Sequence, residues 1–167
     1  MLICLLVGDG VSHSSFVRIN DKGYFTDHQG HLFFPIGLNY WPASTGLHLW
    51  DADYFPVSEI RHNMQVIRKD GFNSVRIFIM WSSFEPHPGV MNETVVQNLV
   101  DMLKICVDED LYVNVSVFVG WMSGQLIWPS WKTRNMFTDP YTRKKSLEFA
   151  QFIAKTVKPF ASNFAGT

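Results

Sequence analysis

One arginine interrupts an apolar stretch of this sequence, GFNSVRIFIMW at residues 71–81. Its neighbours Val75 and Ile77 belong to a run that predicts a strand buried on both faces. A guanidinium buried there without a partner would cost several kcal/mol, so Arg76 is expected to meet a polar group. Carboxylates and hydroxyls suit it best, because the N–H donors of a guanidinium form a planar fork.

Aromatic side chains cluster where the predicted strands end. The sequence is 15% aromatic and holds six Trp, most of them near a strand end or in the loop that follows. Trp and Tyr faces stack on the apolar C–H faces of sugar rings, while Asn and Arg reach hydroxyl groups. Three such ends meeting at one mouth indicate a carbohydrate cleft, although these Trp could instead only close the top of a barrel. The candidate substrate-binding residues are Asn39, Tyr40, Trp41, Trp81, Trp121 and Trp128.

The elements that must position these residues alternate along the chain. A hairpin is predicted from Phe16 to Phe34, because Asp, Asn and Gly supply the turn conformations at 20–23 and 27–30. A buried strand over 32–38 and a loop rich in Trp, Pro and Gly over 39–56 follow. A helix over 57–70, the strand of Arg76 and a loop over 82–91 come next. After them the sequence predicts a helix over 93–110 capped by Asn92, a strand over 112–119, and a helix that begins at Asp139 and Pro140.

Apolar residues at helical spacing predict which face of each helix is buried. The predicted stripes are Val57, Ile60, Met64 and Ile67 in the first helix, Val96, Leu99, Val100, Leu103 and Val107 in the second, and Leu147, Ala150, Ala154 and Val157 in the third.

This alternation predicts a parallel sheet covered by helices, either a doubly wound open sheet or a (β/α)8 barrel. GLNYWP stands where a nucleotide-binding fold would carry a Gly-rich phosphate turn, so the barrel is favoured. A complete barrel usually needs about 250 residues, whereas three βα units are visible in these 167 residues. The predicted fold class is therefore α/β, the N-terminal part of a (β/α)8 TIM barrel: about three βα units plus a capping hairpin. Residues 1–15 are interpreted as a tail and 16–167 as the partial barrel domain.

Charge, histidines and cysteines exclude several classes of function. The net charge is -1, which argues against nucleic acid or an anionic membrane as a partner. The six His show no metal-ligand spacing, and no phosphate loop or serine nucleophile elbow is present, so no metal or cofactor is predicted. Cys106 is predicted to be a reduced core thiol that is not joined to Cys4. His48 and Trp50 could line a substrate subsite or be ordinary loop residues.

The N-terminal stretch MLICLLVG has the apolar core of a signal peptide. It is short, has no preceding positive charge and lacks a good cleavage site, so it is at most a weak signal or a remnant of one. No stretch of the sequence is long enough to span a membrane.

Four sequence motifs, in this order along the chain, resemble those of the cellulase-type glycoside hydrolases: GLNYWP, GFNSVRIFIMW, FEPHPGVMNE and LYVNVSVFV. These are family 5 and its relatives in the clan of retaining (β/α)8 glycosidases, and the match runs from about Phe16 to the C-terminus. The resemblance implies double displacement on β-linked glycans by two glutamates about 5 Å apart, one the acid/base and one the nucleophile. It also implies that Arg76 hydrogen-bonds the nucleophile carboxylate and keeps it ionised. The resemblance favours a secreted or extracellular protein, although the sequence leaves the localisation open.

The sequence departs from the family pattern at the catalytic glutamates. In the family the acid/base follows an Asn at the end of strand four and the nucleophile ends strand seven, but PFASNFAGT stands where strand four should begin. Both glutamates are therefore expected outside these residues, and Arg76 is expected to be exposed or to borrow another acid. Asn92 and Glu93 imitate the acid/base pair but start a helix, and Glu85 is interpreted as a carboxylate that organises its loop.

The predicted function is hydrolysis of β-mannan or β-glucan in carbohydrate metabolism, with the chain inactive on its own and a polysaccharide or oligosaccharide as its partner. The loop VGWMSGQLIW slightly favours mannan. One alternative is a non-catalytic carbohydrate-binding protein, which saturable binding without hydrolysis would favour. Another is a half-barrel that dimerises into a full barrel, which requires an acid/base pair within these residues.

Overall fold

The computed structural model describes residues 17–27, 29–51 and 53–166. Strands and helices alternate through most of this range, as the sequence predicts. The strands are β1 Arg18–Ile19, β2 Phe25–Thr26, β3 Gly37–Asn39, β4 Ser74–Phe78, β5 Tyr112–Ser116, β6 Trp121–Met122, β7 Gln125–Leu126 and β8 Phe164–Gly166. The α-helices are α1 Val57–Lys69, α2 Trp81–Phe84, α3 Glu93–Asp108 and α4 Pro140–Val157, with 3-10 helices at Gly46–His48 and Lys158–Asn163.

Four parallel strands form the central sheet, in the order β3-β4-β5-β8. Helices connect consecutive strands of this sheet, so each connection is a βα unit of the kind that builds (β/α)8 barrels. The strand β8 follows α4, where the sequence predicts the fourth strand to begin. The α/β prediction, with the chain as part of a (β/α)8 barrel, is therefore confirmed.

One face of the sheet belongs to the hydrophobic core that it shares with α1, α3 and α4. Val75 and Val113 align on β4 and β5 and are buried, and Ile77 continues this face along β4. Each large apolar side chain that is fully buried contributes about 1.5–3 kcal/mol, so this face holds the helices on the sheet. The buried apolar residues of the three helices are Ile60, Met64, Ile67, Val95, Leu99, Met102, Leu103, Ile105, Cys106, Phe149, Ile153 and Val157.

The face of α4 that is buried differs from the face that the sequence predicts. Leu147 is exposed although its spacing predicts burial, and Phe149 is buried instead. The Phe149 ring stacks on Trp81 with 5.4 Å between centroids and lies edge-on to Phe84 at 6.4 Å. These aromatic contacts with the segment after β4 fix which face of α4 turns inward.

The helix α3 buries a wider face than one stripe because it contacts α1, α2 and α4. Ile105 and Cys106 are buried, whereas Val107, predicted to be buried, is exposed. Burial raises the pKa of the Cys106 thiol to about 12, and the prediction of a reduced core thiol is confirmed. In α1 the predicted stripe is buried except for Val57, which is exposed in the first turn.

The N-terminal hairpin forms as predicted, but the strand after it is shorter. β1 and β2 pair in antiparallel fashion around a turn in which Gly23 has a φ of 81°. The strand predicted over 32–38 is reduced to β3, and Phe34 and Ile36 are exposed. The side chain of Asn73 adds to the backbone bond from its own N–H to the Ile36 carbonyl: it accepts from the Ile36 N–H and donates to the Phe34 carbonyl, both at 2.8 Å.

Both predicted helix caps are confirmed. Asn92 Oδ1 accepts from the N–H of Val95 at 3.3 Å, and Asp139 Oδ2 accepts from the N–H of Thr142 at 2.9 Å. The structure adds α2 and the β6-β7 hairpin, whose turn places Ser123 at a φ of 51°, in stretches predicted to be loops. Elements of two to four residues are too short to leave a periodic pattern in the sequence.

None of the described helices is both long enough and apolar enough to cross a membrane. Within the same residues, no group of three His, Cys, Asp or Glu side chains is placed to hold a metal ion. The predicted tail, its signal-like segment and Cys4 lie outside the described residues.

Candidate functional site

Polar side chains of three neighbouring strands share one register on the open face of the sheet, opposite the core. Asn39, Arg76 and Asn114 align across β3, β4 and β5, and we call them the polar row. Residues in register on parallel strands point to the same face, so these side chains lie side by side. They line a cavity of about 630 Å³ together with Ser74, Tyr112 and apolar residues of the N-terminal hairpin. The cavity therefore combines amides and a guanidinium with an apolar floor.

Two neighbours hold the side chain of Arg76, which is exposed as expected. Its Nε donates to Ser116 Oγ at 2.7 Å. Its guanidinium carbon lies 4.8 Å from the centroid of the Phe78 ring, within the range of a cation–π contact. In the described ranges no carboxylate forms an ion pair with Arg76, so both Nη groups can meet an acidic ligand.

Strand alternation explains how these residues come together. Phe78 lies two positions after Arg76 on the same face of β4, and Ser116 aligns with Phe78 on β5. The intervening Ile77 points into the core. The prediction that this strand is buried on both faces is therefore wrong at Arg76, because the face that carries the arginine is open in this chain.

The two aromatic residues that follow β3, Tyr40 and Trp41, have different neighbours. The Trp41 indole stacks on the Phe78 ring, with 4.8 Å between centroids and 4° between planes. Tyr40 is buried, and its hydroxyl accepts from Asn63 Nδ2 at 3.0 Å. Burial raises the pKa of Tyr40 to about 12. Trp41 thus lies beside the polar row, whereas Tyr40, also predicted to bind substrate, faces α1.

Trp81 is fully buried, with 0% of its surface exposed, so it offers no face to a sugar in this structure. Its Nε1 donates to Glu85 Oε2 at 2.6 Å, and Glu85 Oε1 accepts from the N–H of Gly89 at 2.6 Å. The Glu85 carbonyl accepts from Trp131 Nε1 at 3.0 Å. With 2% of its surface exposed, Glu85 organises two loops, which supports its interpretation as a structural carboxylate.

Trp121 and Trp128, in the loop after β5, differ in what they can offer a ligand. Trp121 is 64% exposed. The Trp128 ring packs on the backbone of Gly120, where any Cβ would collide with it, and Lys132 Nζ lies 4.4 Å from its centroid. Trp121 therefore keeps an open face, whereas Trp128 is half-buried and already pairs with a cation.

Trp50 and His48, the two candidates for a substrate subsite in the loop after β3, differ in burial. Trp50 is buried, and its Nε1 donates to the carbonyl of Phe78 at 2.6 Å. His48 is exposed, with its Nδ1 at 3.0 Å from Asp51 Oδ2. Trp50 is therefore a core residue that anchors the end of β4.

The five glutamates of this chain all lie away from the polar row. Glu93 is in the exposed first turn of α3, after the cap Asn92, so this pair cannot act from a strand end. The half-barrel alternative, which requires an acid/base pair within these residues, gains no support. The partners of the other glutamates are Ser44 for Glu59, Trp81 and Gly89 for Glu85, Gln65 for Glu109, and Lys145 for Glu148.

Sequence reasoning missed two polar residues of the site, Asn114 and Ser116. The signal for both is the alternation in YVNVS, where polar residues interrupt an apolar strand at every second position. This pattern places them on the face opposite Val113 and Val115, as it does for Arg76 on the neighbouring strand.

The chain matches the family model described as glycosyl hydrolases family 35 over residues 47–166. No curated protein matches it. Among solved structures, the exo-beta-1,4-mannosidase Op5Man5 from Opitutaceae bacterium strain TAV5 is 40% identical with a TM-score of 0.83, over 89% of this chain and 26% of that one. A variant of GH5_18 from Streptomyces cattleya, in complex with Manb1-4GlcNAc, is 28% identical with a TM-score of 0.70, over 78% of this chain and 32% of that one. GH5_18 from Bifidobacterium longum subsp. longum has the same identity and TM-score, over 78% and 31%.

These solved proteins are much longer than this chain, which spans between 26% and 32% of their length. Their glycosidase names confirm the resemblance to the cellulase-type glycoside hydrolases. Since the family model covers residues 47–166, well over half of the sequence, the chain belongs to the glycosyl hydrolases, in family 35.

Proposed function

We propose that this chain is the part of a β-mannoside-acting glycosidase that orients the catalytic nucleophile through Arg76 and carries one wall of the sugar cleft. The observation that carries the proposal is the placement of Arg76 in the polar row. Ser116 and Phe78 fix the guanidinium on the open face while its Nη groups can meet an acid. A fixed planar fork of this kind suits a carboxylate better than a flexible ammonium would.

In a retaining mechanism the nucleophile must be an ionised carboxylate when it attacks the anomeric carbon. A guanidinium within a few Å stabilises the charged form and lowers the pKa of that carboxyl group. Arg76 performs this task in the proposed enzyme, and the amide of Asn39, in register with it, reaches a sugar hydroxyl. The glutamate pair itself comes from outside these 167 residues, because each glutamate present has another place in the structure.

Aromatic faces supply the second part of the proposed site. Trp41 stands beside the polar row on its Phe78 support, and Trp121 exposes most of its indole in the loop after β5. Aromatic rings of this kind cover the apolar face of a pyranose and hold it near the reacting groups. Trp41 is the platform nearer to Arg76, and Trp121 contacts a more distant sugar.

Two observations favour β-linked mannose as the substrate class. Op5Man5 is named as an exo-beta-1,4-mannosidase, and GH5_18 from Streptomyces cattleya binds Manb1-4GlcNAc. The loop VGWMSGQLIW supports the same choice on sequence grounds. β-Glucan is the competing substrate class, and a cellobioside serves as its probe.

The test compares hydrolysis of 4-nitrophenyl β-mannoside by the natural gene product and by the 167-residue chain alone. We expect no turnover by the 167 residues, and turnover only by a product that also carries a glutamate pair. In such a product Arg76→Lys should lower kcat more than it raises KM, because the fork acts on the nucleophile. Turnover by the 167 residues alone would overturn the placement of the glutamates, and a preference for the cellobioside would overturn the mannoside assignment.

A second candidate function is carbohydrate binding without catalysis. Trp121 is exposed and Trp41 is partly exposed in a chain whose polar row contains no glutamate, which favours this candidate. It predicts saturable binding of a β-mannoside by the natural gene product without hydrolysis on prolonged incubation. Hydrolysis that depends on Arg76 would exclude it.

A further inference from the structure

We propose that Phe78 is a positioning residue that holds the guanidinium of Arg76 and the indole of Trp41 in one fixed arrangement. Both groups contact the same ring. The guanidinium carbon lies 4.8 Å from its centroid, and the indole stacks on it at 4.8 Å with 4° between planes. The ring thus joins the group that would orient the nucleophile to the group that would carry the sugar.

Phe78 is itself held from several directions. It is the last residue of β4, it aligns with Ser116 on β5, and 4% of its surface is exposed. Its backbone carbonyl accepts from Nε1 of the buried Trp50 at 2.6 Å. A ring anchored by a strand, a buried hydrogen bond and close packing is a rigid support, and rigid support is what preorganised binding requires.

The two contacts of the ring are of different kinds, and both need an aromatic face. Arg76 is attracted by the negative π-face, and Trp41 by stacking. Leucine at position 78 would keep the apolar volume but lose both contacts, so Arg76 and Trp41 would move independently. Its effect on sugar binding rests on the proposed function, and we expect Phe78→Leu to weaken β-mannoside affinity about tenfold. Tyrosine keeps the ring, and Phe78→Tyr should stay within about twofold of the parent chain.

The arrangement itself is tested without sugar, through the indole N–H resonances of the six Trp in ¹H–¹⁵N spectra of the full chain. Trp41→Phe identifies the resonance of Trp41 and Trp121→Phe that of Trp121. Phe78→Leu should shift the Trp41 resonance and leave the resonance of the exposed Trp121 unchanged. In Phe78→Tyr the Trp41 resonance should keep the position that it has in the parent chain. Phe84→Leu is the matched control, because its buried ring contacts Trp50 and Phe149.

The outcomes separate this inference from the proposed function. An unchanged Trp41 resonance in Phe78→Leu would overturn the inference whatever the chain binds, and so would an equal response to Phe84→Leu. A Trp41 resonance that is shifted in Phe78→Leu but not in Phe78→Tyr supports the inference even where no β-mannoside binds. In that case only the proposed function fails. If Phe78→Leu does not fold, Phe78→Met fills the volume with a flexible chain and is read in the same way.

The effect of Phe78 on sugar binding is measured by isothermal titration of each variant with Manβ1-4GlcNAc. We expect the tenfold loss of affinity in Phe78→Leu and the parent affinity in both Phe78→Tyr and Phe84→Leu. Equal losses in Phe78→Leu and Phe84→Leu would show a general effect of destabilisation and would overturn the positioning role.

Discussion

Arg76 on β4 donates its Nε–H to the hydroxyl of Ser116 on β5, with 2.7 Å between the nitrogen and the oxygen. The two residues lie on the same open face, and Ser116 is one same-face position beyond Asn114, the register partner of Arg76. The bond ties the side chain of one strand to the next, so the orientation of the guanidinium does not depend on the carboxylate that it is proposed to bind.

Ser116→Ala should lower the free energy of unfolding by about 1 kcal/mol, because the chain loses a hydrogen bond to a charged donor on a face where water can partly replace it. Urea denaturation measures the change. Ser130→Ala, in an exposed loop, is the control and should stay within about 0.5 kcal/mol of the parent. Equal effects of the two substitutions would contradict the assigned role of Ser116.

Glu85→Ala should destabilise the chain by about 3 kcal/mol, because it leaves the buried indole N–H of Trp81 and the partly buried backbone N–H of Gly89 without their acceptors. Glu85→Gln keeps one acceptor oxygen and should cost about half as much. Glu93→Gln, at an exposed position in the first turn of α3, should cost less than about 1 kcal/mol. Unfolding midpoints in urea check the order, and a Glu85→Ala chain as stable as Glu93→Gln would refute the structural role of Glu85.

Gly120→Ala should destabilise the chain by about 1–3 kcal/mol, because the added Cβ collides with the Trp128 ring. The same substitution in a Trp128→Leu background should cost much less, since the obstructing ring is gone. A double-mutant cycle from four urea curves measures this coupling. Additive effects would mean that Trp128 does not lie on the backbone of Gly120.

Asp139→Asn should reduce the loss of stability in acid. The backbone N–H and the hydroxyl of Thr142, followed by Arg134, hold the pKa of Asp139 below its usual value of 3.8. A lowered folded pKa stabilises the chain above the unfolded pKa, and this contribution is lost as the pH falls through the lower folded value. Asparagine caps a helix about as well but does not titrate. Between about pH 6 and about pH 2.5 the urea midpoint should therefore fall less in Asp139→Asn than in the parent chain, and equal falls would show that Asp139 has no lowered pKa.

Elements with strong periodicity or strong local chemistry could be predicted from the sequence. The alternation of strands and helices and the caps Asn92 and Asp139 follow from spacing and residue type. The exposure of Arg76 does not, because the apolar run around it predicts burial on both faces, and only the family resemblance leads to that expectation. The rotation of α4 could not be predicted, because it depends on Phe149 packing against Trp81, which is distant in sequence.

The candidate site was harder to predict, because a Trp at a strand end looks the same whether it faces a ligand or the core. Trp121 is exposed and Trp41 is partly buried, whereas Trp81 donates to Glu85 and is fully buried among neighbouring rings. Tyr40 turns to α1 because Asn63 offers it a partner there. Only the fold decides which of these aromatic residues keeps an open face.

An isothermal titration of the full chain with Manβ1-4GlcNAc tests whether the polar row and Trp41 form a β-mannoside site. We expect saturable binding that weakens at least about tenfold in Trp41→Ala and persists in Trp131→Phe, whose indole donates to the backbone carbonyl of Glu85. Binding that is absent in the parent chain, or unchanged in Trp41→Ala, would contradict this assignment.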